Sequence, residues 1–206
     1  MVILLAMSIS DHIKFLAAFA RNPKHVGAIA PSSDALAAAM VEGLQISANK
    51  TIVEFGPGTG SFTKAIYNRF SDEGGEGNYL GIERDKAFVK HLRNRFPDMN
   101  FVHGSAEKLP VYHQAAELPP VGGVVSGLPF ASLPITVQDS ITSMLDELLL
   151  PGTVFRTFQY VHAYPLPTAI RFRKRMQDLG LKMARRKIIL CNLPPAYVLT
   201  WTRADS

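Results

Sequence analysis

From Thr51 to Tyr160 the chain alternates two patterns. Short β-favouring runs, such as Thr51-Ile52-Val53-Glu54, are followed by turns and then by longer stretches in which apolar residues recur every three or four positions. The first pattern suits strands covered on both faces, and the second suits amphipathic helices. The sequence therefore predicts strands at 51–54, 78–82, 100–102, 122–126 and 153–160, and helices at 61–70, 86–95, 140–149 and 168–179. Two last strands, 184–190 and 197–202, are joined through Asn192-Leu193-Pro194-Pro195, a connection short enough for an antiparallel hairpin. Alternating β and α implies an α/β fold: a mostly parallel sheet, seven strands in all, with helices on both faces and ligand at the strands' carboxyl ends.

Ahead of this repeat lie two helical stretches. Ser10 and Asp11 are suited to cap a helix to about Ala20, with Ile13, Leu16, Ala17 and Ala20 on one stripe, widened by Phe15 and Phe19. Lys14, Arg21, Lys24 and His25 flank the stripe, a pattern that fits either a core-packing helix or one lying on anionic lipid. Pro31 then breaks the chain, and Ser32 or Ser33 caps an alanine-rich helix through Leu44. The expected division is a covering N-terminal segment, 1–30, and one folding domain, 31–206.

The chemistry is concentrated in VEFGPGTGSFT, Val53 to Thr63. Strand, glycine turn and helix follow one another there, so free N–H groups at a helix start meet a backbone that a ligand can approach closely. The second strand ends in Glu83, where an acid can accept both hydroxyls of a ribose. The spacing is GxGxG rather than GxGxxG, which favours a nucleoside carrying an amino acid over a dinucleotide pyrophosphate. S-adenosylmethionine has that make-up. Gly104-Ser105-Ala106 falls at the end of the third strand, beside the expected adenine. SGLPFASLP follows the fourth strand, bringing Ser126, Gly127 and the Phe130 ring to the expected position of the donor sulfur.

Composition narrows the rest. The single cysteine, Cys191, excludes an intrachain disulfide and a cysteine-rich metal site, which fits a cytoplasmic compartment. No metal is expected. The run Val2 to Met7 is too short to span a bilayer. A net charge of +5 admits nucleic acid, an anionic membrane or no particular partner, and the basic residues crowd late in the chain: Arg171, Arg173, Lys174, Arg175, Lys182, Arg185, Arg186 and Lys187, offset by Asp178 alone. They form either a solvated face or an anion-binding rim.

RNPKHVGAIAPSS, VEFGPGTGSFT, GIERDKAFVKHLRNRFPDMNFVHGSAE, VVSGLPFASLP and NLPPAYVLTW, in that order, give the chain a nearly end-to-end resemblance to the bacterial phospholipid N-methyltransferases. The resemblance implies the class I S-adenosylmethionine-dependent methyltransferase fold and successive methylation of phosphatidylethanolamine toward phosphatidylcholine. It also implies a monomer docked by its N-terminal helix on the inner face of the cytoplasmic membrane. By the same resemblance Glu54, Gly56, Gly58 and Gly60 surround the methionine part, Glu83 the ribose, Ser105 and Ala106 the adenine, and Ser126 the sulfonium, with Ile29 covering the cofactor. Ser105 stands where related methyltransferases often carry an aspartate.

For the acceptor, Tyr160 resembles the tyrosine that the family places near the amine. Tyr160 and the carbonyls around Gly127 are the expected amine-orienting groups, and Arg171 and Arg175 the expected partners for the lipid phosphate. His162, a lone loop histidine, fits a structural role better than that of proton acceptor. Phe15, Phe19, Lys14 and Arg21 are the implied membrane contacts. Another aminolipid, such as ornithine lipid, is an alternative acceptor. The related ribosomal RNA adenine dimethyltransferases place an asparagine where this chain has Gly127 and stack a ring on a flipped base. Without that asparagine and with a hairpin at the end, nucleic acid is not expected as a partner. A non-catalytic cofactor-binding module is the remaining reading.

Overall fold

The computed structural model describes residues 32–75 and 77–203. Within them one sheet contains β1 (Thr51–Phe55), β2 (Asn78–Glu83), β3 (Asn100–His103), β4 (Val121–Ser126), β5 (Val154–Tyr160), β6 (Leu181–Ile189) and β7 (Ala196–Arg203). Their order is β3-β2-β1-β4-β5-β7-β6. The pairs from β3 across to β5 are parallel, whereas β7 runs antiparallel to both β5 and β6. The second strand of the C-terminal hairpin, not the first, thus joins the parallel sheet. The order reverses between β1 and β4, the place where an open α/β sheet leaves a crevice.

The helices are α1 (Asp34–Val41), α2 (Ser61–Asp72), α3 (Lys86–Arg95), α4 (Leu109–Ala115), α5 (Ile135–Leu148) and α6 (Pro167–Asp178). Successive strand residues point to opposite faces. Ile52 therefore packs with Leu36, Met40, Phe62, Ile66 and Leu92 under α1 to α3, while Val53 and Phe55 pack with Leu109, Leu145, Phe172 and Trp201 under α4 to α6.

Strand β6 starts three residues earlier than expected, at Leu181, and one helix and two helix boundaries differ where tertiary contacts outweigh local preference. Helix α4 was not expected, but Pro110 suits its first turn and Leu109 is fully buried against the sheet. Helix α5 starts at Ile135, ahead of the expected Ser140, and the buried Gln138 donates to the carbonyls of Phe130 (2.7 Å) and Leu133 (3.0 Å). Helix α1 stops at Val41 instead of reaching Leu44. Arg156 of β5 donates to the carbonyls of Met40 (3.1 Å) and Glu42 (2.7 Å), and Arg69 of α2 to those of Val41 and Leu44, both at 3.2 Å. These cations donate to carbonyls at and just beyond the helix end, where intrahelical donors run out, and complement its dipole.

Arg156 is buried and also donates to Thr200 Oγ1 at 3.2 Å. Arg156→Leu removes these charge-assisted bonds and orphans two carbonyls, at a cost on the order of 3 kcal/mol. For a domain of this length the melting midpoint should then fall by about 6 to 12 °C in scanning calorimetry. An unchanged midpoint would show that α1 is held by apolar packing alone.

Candidate active site

The predicted positions converge at one end of the sheet. Glu54 lies near the end of β1, Glu83 ends β2, Ser105 and Ala106 follow β3, Ser126 ends β4, and Tyr160 ends β5. Backbone hydrogen bonds continue the ladder into the loops beyond the strands. Gly56 N donates to Ile82 O (2.9 Å), Gly104 N to Glu83 O (2.9 Å), Gly127 N to Phe55 O (2.8 Å) and Val161 N to Pro195 O (2.9 Å). This end of the sheet is therefore a fixed backbone surface rather than a set of independent loops.

The glycines divide into two kinds. A Cβ on Gly127 would lie 2.7 Å from Gly56 O, so Gly127 lacks a side chain because the turns after β1 and β4 touch there. At Gly56 the space is taken by Leu128, and at Gly60 by Leu92 and Phe96. All three turn glycines hold a positive φ that favours glycine (+63°, +56° and +86°), but Gly58 differs in its surroundings, the nearest atom to an added Cβ being Gly56 O at 4.0 Å. Of the three turn glycines, Gly58 is thus the one whose Cβ position faces open space.

Glu54 is wholly buried. Its Oε2 accepts from Tyr79 Oη (2.6 Å) and Thr63 Oγ1 (2.8 Å), tying β1 to β2 and to α2, while its Oε1 has no hydrogen-bond partner. Burial in low dielectric pushes its pKa up to about 7; the two hydroxyl donors oppose the rise and the charge of Glu83 adds to it. Burial and the neighbouring Glu54 also push the Tyr79 phenol well above its ordinary range. An unpartnered buried carboxyl oxygen beside an open glycine turn has the chemistry to accept from a cationic group.

Glu83 is anchored in two directions, accepting from Gly58 N (3.0 Å) and Asp85 N (2.9 Å). Two of a carboxylate's approximately four acceptor positions are thereby used, and the others can serve a diol. The Ser105 hydroxyl donates to Glu107 at 2.7 Å, and Ala106 is buried. Ser126 Oγ accepts from Leu128 N at 3.3 Å and so shapes the turn after β4.

Tyr160 stacks on His162 at 5.6 Å between centroids and meets the Phe158 ring edge-on. Burial pushes its phenol pKa up. Phe130 corrects the sequence expectation: instead of facing the donor, its ring is fully buried, stacked 4.3 Å from Phe172 and edge-on to Phe155. The physical reason is the turn of Phe130–Ser132, which directs the ring into the layer under α5 and α6. Arg171 is engaged with Asp139 (2.8 Å), holding that carboxyl below its usual range, and Arg175 reaches Ser143 Oγ (3.2 Å). Both therefore bind α6 to α5. Lys14, Phe15, Phe19, Arg21 and Ile29 lie outside the described residues. No group of three potential metal ligands occurs among the described residues, and no described helix is long and apolar enough to cross a membrane.

A sheet ordered 3-2-1-4-5-7-6 with an antiparallel seventh strand, a glycine turn after β1 and an acid ending β2 is the class I S-adenosylmethionine-dependent methyltransferase fold. No protein-family profile matches the chain. An ornithine lipid N-methyltransferase of Singulisphaera acidiphila is 29% identical over 189 residues, covering 90% of this chain and 93% of that one. A TehB-like S-adenosylmethionine-dependent methyltransferase of Corynebacterium glutamicum matches with a TM-score of 0.61 at 14% identity, over 94% of this chain and 98% of that one. Fibrillarin of Aeropyrum pernix, solved with natively bound S-adenosyl-L-methionine, gives 0.61 at 17% identity, over 81% of this chain and 74% of its own. At such identities the two structures speak for the fold.

The buried carboxyl sets a pH dependence. With a folded pKa of about 7 against an ordinary 4.5, Glu54 holds its proton in the native state across a window where the unfolded chain has lost it. Stability should therefore fall as pH rises from about 4.5 to about 7, by roughly 3 kcal/mol. Glu54→Gln removes this contribution, so the difference in melting midpoint, parent minus variant, should decline through that window. Parallel curves would mean that Glu54 is ionised throughout.

Proposed function

We propose that the chain is an S-adenosylmethionine-dependent N-methyltransferase whose acceptor is an aminolipid at a membrane surface. One observation carries the acceptor class: likeness to an ornithine lipid N-methyltransferase extends over 90% of this chain and is not confined to its nucleotide-binding half. It puts ornithine lipid ahead of phosphatidylethanolamine. The RNA reading loses ground because Gly127 offers no side-chain amide and the Phe130 ring is enclosed by Phe155 and Phe172.

The residues fit the cofactor. Glu54 Oε1, buried and without a partner, would accept the methionine ammonium. The open side of Gly58 admits the approach of that moiety, and the spare acceptor positions of Glu83 would take the ribose hydroxyls. Ser105 and Ala106 would border the adenine, Ser126 and Gly127 the sulfonium, and Ile29 would cover the site. S-adenosylmethionine, when bound, supplies a methyl group on a sulfonium that leaves as a neutral thioether.

What the chain itself must do is present a neutral amine in line, about 3 Å from the methyl. An alkyl amine titrating near ~10.4 gives up its proton at a cost of roughly 4 to 5 kcal/mol at pH 7, and enclosure lowers that cost by disfavouring the ammonium. Tyr160 stays a neutral phenol because burial raises its pKa. Its oxygen accepts from the amine N–H, together with the carbonyls around Gly127, and leaves the lone pair free. No strong base is needed. We assign the peripheral membrane contact of residues 1–30 to Phe15 and Phe19, with Lys14 and Arg21 at the phosphates, in a monomer on the inner face of the cytoplasmic membrane.

Labelled S-adenosylmethionine and vesicles holding both aminolipids should yield labelled ornithine lipid first, phosphatidylethanolamine second, and no label in unmodified small-subunit ribosomal RNA. Label in RNA adenines with none in lipid would reverse the assignment. Glu83→Ala should weaken S-adenosylmethionine binding at least tenfold by calorimetric titration, since charge-assisted bonds contribute roughly 1.5 to 3 kcal/mol each. An affinity within twofold of the parent would move the ribose elsewhere.

A further inference from the structure

The tip of the β6–β7 hairpin carries exposed apolar side chains at the same end of the sheet as Tyr160. Ala196 pairs with both Tyr160 and Ile189, and Val161 N donates to Pro195 O, so 190–195 border the end of β5. Leu190 is 69% exposed and Leu193 83%, and Ile188 stands out on the strand before them. The tip is nonetheless anchored: buried Asn192 accepts from Ser33 N (2.9 Å) and donates to Pro194 O (2.7 Å). Leucines held outward from an anchored turn forgo burial that free loop residues would find.

Cations stand directly behind these residues. Arg186 and Ile188 share one face of β6 by the two-residue period, and Leu190 follows directly beyond the strand's last residue, Ile189. Arg186 donates to Tyr164 Oη and lies over the Tyr164 and Tyr197 rings, while Arg173 of α6 lies 3.7 Å over the Tyr164 ring and donates to Gln159. Neither guanidinium has a carboxylate partner among the described residues, unlike Arg171, Arg185, Lys187 and Arg203. No Asp or Glu occurs between Leu179 and Arg203. The layout is apolar at the outermost point and cationic one layer back.

We propose that this tip is a bilayer contact, with Leu190 and Leu193 in the headgroup boundary and Arg173 and Arg186 on lipid phosphates, bringing the Tyr160 end of the sheet against an anionic membrane. This rests on the aminolipid reading and deepens it. A second copy of the chain is the less suitable occupant, because Lys182, Arg185, Arg186 and Lys187 line the free edge of β6 and oppose strand pairing. An anionic surface meets both features at once: the apolar tip enters the interface and the guanidiniums replace water at phosphates.

Cys191, the single cysteine, is exposed within the tip and takes a thiol-reactive, environment-sensitive fluorophore on the full chain. With phosphatidylglycerol–phosphatidylcholine vesicles its emission should shift to the blue and be quenched by lipids spin-labelled near the headgroup. Leu190→Glu with Leu193→Glu should lower vesicle co-sedimentation at least tenfold while leaving S-adenosylmethionine affinity within twofold of the parent. Arg173→Gln with Arg186→Gln should flatten the salt dependence of binding. The proposal is overturned if the double glutamate variant sediments as the parent does, or if the fluorophore on sedimented protein stays unquenched. It is equally overturned if that variant instead dissociates an oligomer with vesicle binding intact. A parent that methylates no aminolipid in detergent micelles defeats the functional reading alone, since the bilayer contact is judged by sedimentation and quenching.

Discussion

The buried carboxyl of Glu54 is the constraint around which this fold is built. It sits on a central strand, takes hydroxyl donors from β2 and α2, and thereby fixes the three elements that frame the glycine turn. A carboxyl in such surroundings resists ionisation, and the donors on Oε2 only partly offset the loss of water. The oxygen left without a partner is a cost to the isolated chain. A cation delivered there would satisfy that oxygen and favour the ionised form, so binding would offset the desolvation cost.

Around that point the site is shaped mainly by protein meeting protein. Gly127 is bare because the turns after β1 and β4 touch, and Gly56 and Gly60 combine a positive φ with space filled by Leu128, Leu92 and Phe96. This close packing gives a rigid floor, and the donor's reactive group needs rigidity because alignment supplies much of the rate in a displacement reaction. The flank of the sheet's end beyond β5 is built from different material: aromatic rings ending β5, guanidiniums laid over tyrosines, and apolar residues at a hairpin tip. A polar nucleotide site and an amphipathic rim at one end of a sheet suit a reaction between a soluble donor and a lipid.

Much of this was legible in the residues. Periodicity marked every parallel strand, and the glycine turn with Glu83 pointed to the ligand class, because these features depend on neighbours in sequence. What depends on neighbours in space was not legible. The Phe130 ring follows a glycine-proline turn that leaves its direction open, and only packing against Phe172 and Phe155 decides it. Arg171 and Arg173 look alike in a basic run, yet Asp139 of α5 engages one while the Tyr164 ring holds the other. Leu193 reads as part of a connection, and its exposure emerges only once Asn192 is seen to anchor the turn.

Calorimetric titration of S-adenosylmethionine into the parent at pH 6, repeated in buffers of different ionisation enthalpy, bears most directly on this account. With Glu54 near pKa 7 in the free chain, the bound ammonium should expel close to one proton, and Glu54→Gln should bind with little or no proton release. Binding heats independent of buffer in the parent, or an equal release in the variant, would contradict the assignment of Glu54 as the cofactor's cation partner.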